Sequence, residues 1–200
     1  MSRLDELLTE LCPEGISSKM LGETTVLVRG QNITKDSVIP GPFPIVSASR
    51  EALAHHVEFN HSGGAVSISS HGAHAGYVMF WPDAIWLGNN VFLFECNENL
   101  DAKFLFYVLK SRQVEVSNLA KSGGVPYINA SQVQALPIPI PPMQLQLEIV
   151  RILDTFTELE AELEAELEAE LEARKKQYEF YRDQLLTFPE QGGGTVGSDG

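Results

Sequence analysis

The sequence predicts an α+β domain followed by one long projecting helix. Three observations lead there. Short apolar runs bounded by Gly, Pro or Asn recur between residues 24 and 96, which is the pattern of strands on a partly buried sheet. Helical periodicity within the first 141 residues is confined to two short segments. From Pro142 onward the chain has no further proline until Pro189, and helix formers dominate it. Two hundred residues with 44% hydrophobic and 20% charged content supply one core plus an attachment, and hardly two full domains.

The elements follow in chain order. Residues 2–11 form an amphipathic opening helix, and strands are expected over 24–28, 43–46, 65–69, 76–80 and 91–96. Residues 101–111 form a second helix, with Asn99 just ahead of its acidic first turn. Glycine-bearing loops lie at 61–76, 86–90 and 121–127, and loops carried on a sheet are where recognition usually resides. The expected organisation is a globular domain over 1–141, a helical region over 142–188 and a disordered tail over 189–200.

Pro137-Ile138-Pro139-Ile140-Pro141-Pro142 cannot be helical throughout, but Pro142 suits the first helical position. Glu158 opens a Glu-Leu-Glu-Ala tetrapeptide that repeats four times, to Ala173. A helix of roughly 45 residues is about 65 to 70 Å long, more than the diameter of a small domain, so it should project. Ile149, Ile152, Leu153, Phe156, Leu159, Leu163, Leu167, Leu171, Tyr178, Tyr181 and Leu185 mark one stripe along it. Within the repeats the strict period of four turns the Leu row by about 40° per repeat, which argues against a long regular coiled coil. No second long helix is there to cover the stripe. A second copy of the chain is the expected partner, with Ile152, Phe156, Leu159, Leu163, Leu167, Leu171 and Tyr178 at the contact. The alternative is a single solvated helix, for which Glu-rich sequence is suited. The eight repeat glutamates read as a solvated face and would repel one another across a parallel pair.

Lys and Arg number 14 against 27 Asp and Glu, a formal net charge of -13. Up to residue 157 the chain has 15 acids and 10 bases; residues 158–188 have 10 and 4; the tail adds Glu190 and Asp199. Such a balance argues against gripping nucleic acid by bulk charge. Two cysteines, Cys12 and Cys96, make no disulfide framework, the start carries no signal-peptide pattern, and no apolar run is long enough for a membrane span. A cytoplasmic protein without membrane contact is expected.

Catalytic motifs are missing. The sequence has no phosphate-binding Gly-x-x-x-x-Gly-Lys-Ser/Thr loop, no Asn/Asp-Pro-Pro-Tyr/Phe tetrad and no Gly-x-Ser-x-Gly elbow. His55, His56, His61, His71 and His74 cluster in sequence, but only Glu58 accompanies them at ligand spacing, so they are taken as surface or loop histidines and no metal is expected. Pro82-Asp83 followed by Asp101-Ala102-Lys103 mimics a Mg²⁺-dependent nuclease signature. Phe104, Leu105, Val108 and Leu109 follow at helical spacing, so Asp101 should open a helix instead of lying on a strand beside Asp83.

Taken together, several segments resemble the specificity subunits of type I restriction-modification enzymes. They are Leu11-Cys12-Pro13-Glu14-Gly15 with Leu21-Gly22-Glu23, Gly76-Tyr77-Val78, Phe106-Tyr107-Val108-Leu109-Lys110-Ser111, Ile138-Pro139-Ile140-Pro141-Pro142-Met143-Gln144, Ile149-Val150-Arg151-Ile152-Leu153-Asp154 and Tyr181-Arg182-Asp183-Gln184-Leu185-Leu186-Thr187-Phe188. Their order covers residues 11 to 188. The resemblance implies a target recognition domain that reads DNA bases and a long helix that acts as spacer and as docking surface for methyltransferase subunits. It implies a non-catalytic role, with S-adenosylmethionine bound by the methyltransferase partner and no cofactor here, and it admits nuclease subunits as further partners. Family members usually carry two such domains and two helices. This sequence shows one of each, followed by Gln191 and a Gly-rich tail, and is expected to be a half subunit.

Under that resemblance, loop residues able to hydrogen-bond base edges are the expected contacts with double-stranded DNA: Arg50, Ser70, His71, His74, Asn89 and Asn90, with Lys121, Ser122 and Tyr127 on phosphates or bases. Asn89-Asn90 after Gly88 reads equally well as a plain turn. A homodimer of such chains should read an interrupted palindrome whose gap is tuned by repeat number. A different class, an acidic helical adaptor that binds only protein, would share the helix and the core.

Overall fold

A computed structural model describes residues 3–121 and 124–188; the expectations for Ser122 and for the 189–200 tail lie outside them. The chain divides into two compact units, residues 1–152 and 153–200.

In the first unit, α1 (Arg3–Leu11) precedes β1 (Ser18–Met20), the single-turn α2 (Leu21–Thr24) and β2 (Thr25–Arg29). After a 3-10 turn at Lys35–Ser37 come β3 (Phe43–Val46), β4 (His55–His56), β5 (Ala65–Ser69), β6 (Val78–Trp81), β7 (Trp86–Leu87) and β8 (Val91–Cys96). Then follow α3 (Ala102–Ser111), α4 (Gln113–Asn118), α5 (Ala130–Gln134), β9 (Pro137–Pro139) and α6 (Met143–Leu186). The mixed α/β character matches the sequence expectation.

The central sheet is antiparallel, in the order β2-β8-β5-β6. Its two inner strands are covered on both faces, which the alternation of their side chains makes plain. Val66 and Ile68 of β5 and Phe92 and Phe94 of β8 point to the face that Phe104, Leu105 and Leu109 of α3 cover. Ala65, Val91 and Leu93 point the other way, onto Val46, Ile85 and Leu87. That second layer is a small sheet ordered β4-β3-β7, in which β3 and β7 run parallel. Burial on both faces explains why β8 opens with four apolar residues in a row, and it takes in even Ser67 and Ser69 of β5.

Several predicted boundaries move: the strand expected over 24–28 runs from Thr25 to Arg29, because Thr24 closes α2, and the helix expected over 101–111 starts at Ala102, with Asp101 as its cap. The strand expected over 76–80 starts at Val78, because Gly76 adopts φ +87° and belongs to the preceding turn. The proline-rich segment forms β9, paired with β1 as a two-stranded ribbon in which Lys19 lies opposite Ile138. Prolines tolerate that position because a ribbon edge needs no amide from them. The helix expected from Pro142 starts at Met143, with the Pro142 carbonyl accepting from the Gln146 amide at 3.2 Å. Leu145 is fully buried and Ile149 and Val150 pack on the main core, so the opening turns of α6 belong to the first unit, which runs past residue 141. Gln146, also fully buried, ties them down: its side-chain oxygen accepts from the Asp101 amide at 2.8 Å, and its amide group donates to the carbonyls of Asn99 and Pro141.

The second unit is the rest of α6. There Phe156, Leu159, Leu163, Leu167, Leu171 and Tyr178 are each between 54% and 66% exposed in the single chain, whereas Ile152, just inside the first unit, is half-buried. Among the described residues, no helix is long and apolar enough to cross a membrane.

Candidate nucleic-acid interface

Three loops meet beyond one end of the central sheet. The first, residues 70–76, joins β5 to β6 and is closed at its base by the Ser69 amide to the Tyr77 carbonyl at 3.0 Å and the Gly76 amide to the Ser69 carbonyl at 2.7 Å. The second, before β8, ends at Asn90, whose carbonyl accepts from the Ser70 amide at 2.9 Å. The third lies between α4 and α5; the Ile128 amide donates to the Ser70 carbonyl and the Gly72 amide to the Pro126 carbonyl, both at 2.9 Å. Tyr127 forms bridges to both His71 and Lys121. Residues distant in sequence are thus stitched into one rim by backbone hydrogen bonds.

On that rim His71 is exposed and stacks on Tyr127, with ring centroids 6.4 Å apart and planes 23° from parallel. Its Nδ1 is hydrogen-bonded to Ser70 Oγ at 2.8 Å. Ser70 itself is 1% exposed, so the expectation that it faces DNA is corrected: buried beneath the rim, it orients the His71 ring. Asn89, Asn90, Lys121 and Tyr127 are exposed. Asn89 and Asn90 form the turn that enters β8, so the plain-turn reading and an accessible side chain hold together.

A cleft of about 320 Å³ beside the rim is lined by Arg50, Gly72, His74, Tyr77, Gln113 and Pro126, among others. Tyr77 sits between two cations, Lys110 Nζ at 4.3 Å and Arg50 Cζ at 5.5 Å from its ring centroid. Arg50 and His74 therefore share one concavity, although 24 residues separate them. Sequence reasoning did not single out Gln113, and it noted Tyr77 and Lys110 only as parts of motifs.

Gln113 is the clamp of this region. Its Nε2 donates to the Gly76 carbonyl at 2.7 Å and to Ser117 Oγ at 3.0 Å, while its Oε1 accepts from the Val78 amide at 3.0 Å. Gly76 lies so close to α4 that a Cβ there would stand 2.5 Å from Ser117 Cα. The 70–76 loop is thereby seated on a helix. No single-sequence signal marks Gln113, since a polar residue at a helix start has no distinctive pattern.

The remaining histidines are not all on the surface, contrary to expectation. His56 is 5% exposed, accepts from the Ile39 amide at Nδ1 and meets the Trp86 ring edge-on at 4.9 Å. His61, 9% exposed, accepts from the Gly63 amide at Nδ1, which places its proton on Nε2, where it donates to Glu95 at 2.8 Å. Both staple loops to strands. Asp101 caps α3, its Oδ1 accepting from the Phe104 amide at 2.8 Å, so the nuclease-like pattern resolves into a helix cap. Nearby, burial and the Asp101 charge push the Cys96 thiol up to about 12, which leaves it unreactive. Among the described residues, no three His, Cys, Asp or Glu side chains come together as metal ligands would.

Comparison with known proteins gives a consistent family. A model of the type I restriction modification DNA specificity domain matches residues 19–173. A protein of Haemophilus influenzae named as the type I restriction enzyme specificity subunit S.HindORF215P is 36% identical over 160 residues, 76% of this chain and 40% of that protein. The type I restriction enzyme EcoR124I/EcoR124II specificity subunit of Escherichia coli is 36% identical over 96 residues, 47% of this chain and 24% of that one. The chain thus spans well under half the length of these relatives. The crystal structure of a type I restriction-modification S subunit from M. genitalium superimposes with a TM-score of 0.68 at 22% identity, over 81% of this chain and 44% of that one, and so shares its fold.

Proposed function

The chain belongs to the type I restriction-modification DNA specificity family, and from that premise we propose that it selects the DNA sequence on which partner methyltransferase subunits act, without catalysing a reaction itself. The observation that carries this reading is the convergent rim: three loops present His71, Tyr127, Asn90 and Lys121 together, beside a cleft holding Arg50 and His74. Exposed hydrogen-bonding tips on a rigid sheet suit direct readout of base edges, and Arg50, Lys110 and Lys121 supply local positive charge for phosphates.

The chain works as a homodimer through the exposed leucine stripe of α6. Two identical domains related by a two-fold axis read identical half-sites in inverted orientation, separated by bases that neither touches. Because the chain as a whole is acidic, backbone grip comes largely from the methyltransferase subunits, which also bring S-adenosylmethionine; nuclease subunits join the same assembly. All of this takes place in the cytoplasm, on double-stranded DNA.

Mapping methylated bases in cells that express this chain with a methyltransferase subunit tests the proposal. An interrupted palindrome is expected. A bipartite site with unequal halves would overturn the homodimer, and methylation without sequence preference would leave the acidic adaptor as the better reading.

A further inference from the structure

Ser70 and His71 are neighbours in the chain, one buried beneath the rim and the other exposed on it. The amide and carbonyl of Ser70 are both held in backbone bonds, to the Asn90 carbonyl and from the Ile128 amide. Its hydroxyl is what remains. Among the described residues the one partner of that hydroxyl is His71 Nδ1, at 2.8 Å. If Nδ1 were the donor in this bond, the Ser70 proton would be buried without an acceptor. Both groups are satisfied when Ser70 donates to an unprotonated Nδ1.

A neutral imidazole has a single N–H, so the proton then lies on Nε2. Tyr127 lies along one face of the ring, with centroids 6.4 Å apart and planes 23° from parallel. A half-turn of the ring would set a carbon against Ser70 Oγ and break the bond. The ring is therefore fixed in direction as well as in tautomer, and among the described residues nothing pairs with Nε2.

We propose that the buried Ser70 locks His71 in its Nε2–H form, and that His71 is a specificity-determining residue whose donor reads an acceptor on a base edge: N7 of a purine, O6 of guanine or O4 of thymine. The inference rests on the DNA-reading proposal above and adds the polarity of one contact and the positioning residue that sets it. A histidine free to change tautomer would offer a donor or an acceptor in turn, and would discriminate poorly between the keto and amino edges of bases. The serine removes that choice. Where an amino group of cytosine or adenine faces Nε2–H, two donors meet and neither is paired, which disfavours that base.

The tautomer is read from the ¹⁵N chemical shifts of the imidazole nitrogens in the full chain, at about pH 8, above the ordinary imidazole range. His71→Asn identifies the signals. Nε2 should resonate as a protonated nitrogen and Nδ1 as an unprotonated one, and Ser70→Ala should move both toward the average of the two forms. A wild-type His71 with its proton on Nδ1, or shifts unchanged in Ser70→Ala, would overturn the lock. Binding of the complex with its methyltransferase partner to cognate duplexes supplies the second arm. His71→Ala and Ser70→Ala should relax the same position of each half-site, by about tenfold and about threefold. At that position a 7-deazapurine, 6-thioguanine or 4-thiothymine in place of the base read should weaken wild type about tenfold and leave His71→Ala unaffected. Equal sensitivity of the two proteins, or relaxation at different positions, would overturn the contact and leave DNA selection standing. A complex that binds all duplexes alike would overturn the DNA reading itself.

Discussion

Gln113→Ala removes the side chain that holds the 70–76 loop on α4. It deletes three hydrogen bonds and leaves the Gly76 carbonyl and the Val78 amide without their partner in a part-buried setting. An unsatisfied group of this kind costs roughly 1 to 3 kcal/mol when buried, so with partial access to water the pair should cost about 2 kcal/mol together. For a chain of this size that is a fall in Tm of roughly 4 to 8 °C. Gln113→Glu keeps an acceptor for Val78 and loses the donor to Gly76 and Ser117, so it should lose about half as much. Thermal denaturation gives the first readout and methylation of cognate sites the second, since the loop carries His71 and His74 into the proposed interface. If Gln113→Ala melts within a degree of wild type and methylates the same sites equally well, the clamp does not position the recognition loop.

Deleting residues 166–169 shortens α6 by about 6 Å, under two base-pair steps; methylation mapping should show a spacer shorter by one or two base pairs with unchanged half-sites. Gly76→Ala combines an unfavourable φ of +87° with a Cβ 2.5 Å from Ser117 Cα, and urea denaturation should register a loss of about 2 kcal/mol or more. Lys121→Ala should weaken DNA binding by the assembled complex evenly across sequences and lower the salt slope by about 1, whereas Tyr127→Ala, which frees the His71 ring, should relax base preference at one position of each half-site. Asp101→Ala should cost about 1 kcal/mol in denaturant unfolding through the lost cap of α3, with half-sites unchanged.

Many of the strands were legible because β3, β5 and β8 are short, largely apolar segments flanked by turn-forming residues, and the ends of those three agree with the structure. The small elements were not: β1, β4, β7, β9, α2 and α5 are two to five residues long, too short for any periodicity to register. The helix α6 was the plainest element of all, since forty-four residues without Gly or Pro need no tertiary support to be recognised.

The candidate interface was legible only in part. Arg50, His71, His74, Lys121 and Tyr127 were found as loop residues of suitable chemistry, but a loop residue can face solvent or core, and Ser70 faces the core. By itself the sequence determined the fold class, the long helix and the apolar stripe upon it, because each depends on local propensity and on spacing along one chain. Only the tertiary structure decided which side chains share a surface. The backbone bonds from Ser70 to Asn90 and Ile128, the seat of Gly76 on α4 and the grip of Gln113 join segments 20 to 58 residues apart, and the energy of such contacts depends on distances in space that no pattern along the chain encodes.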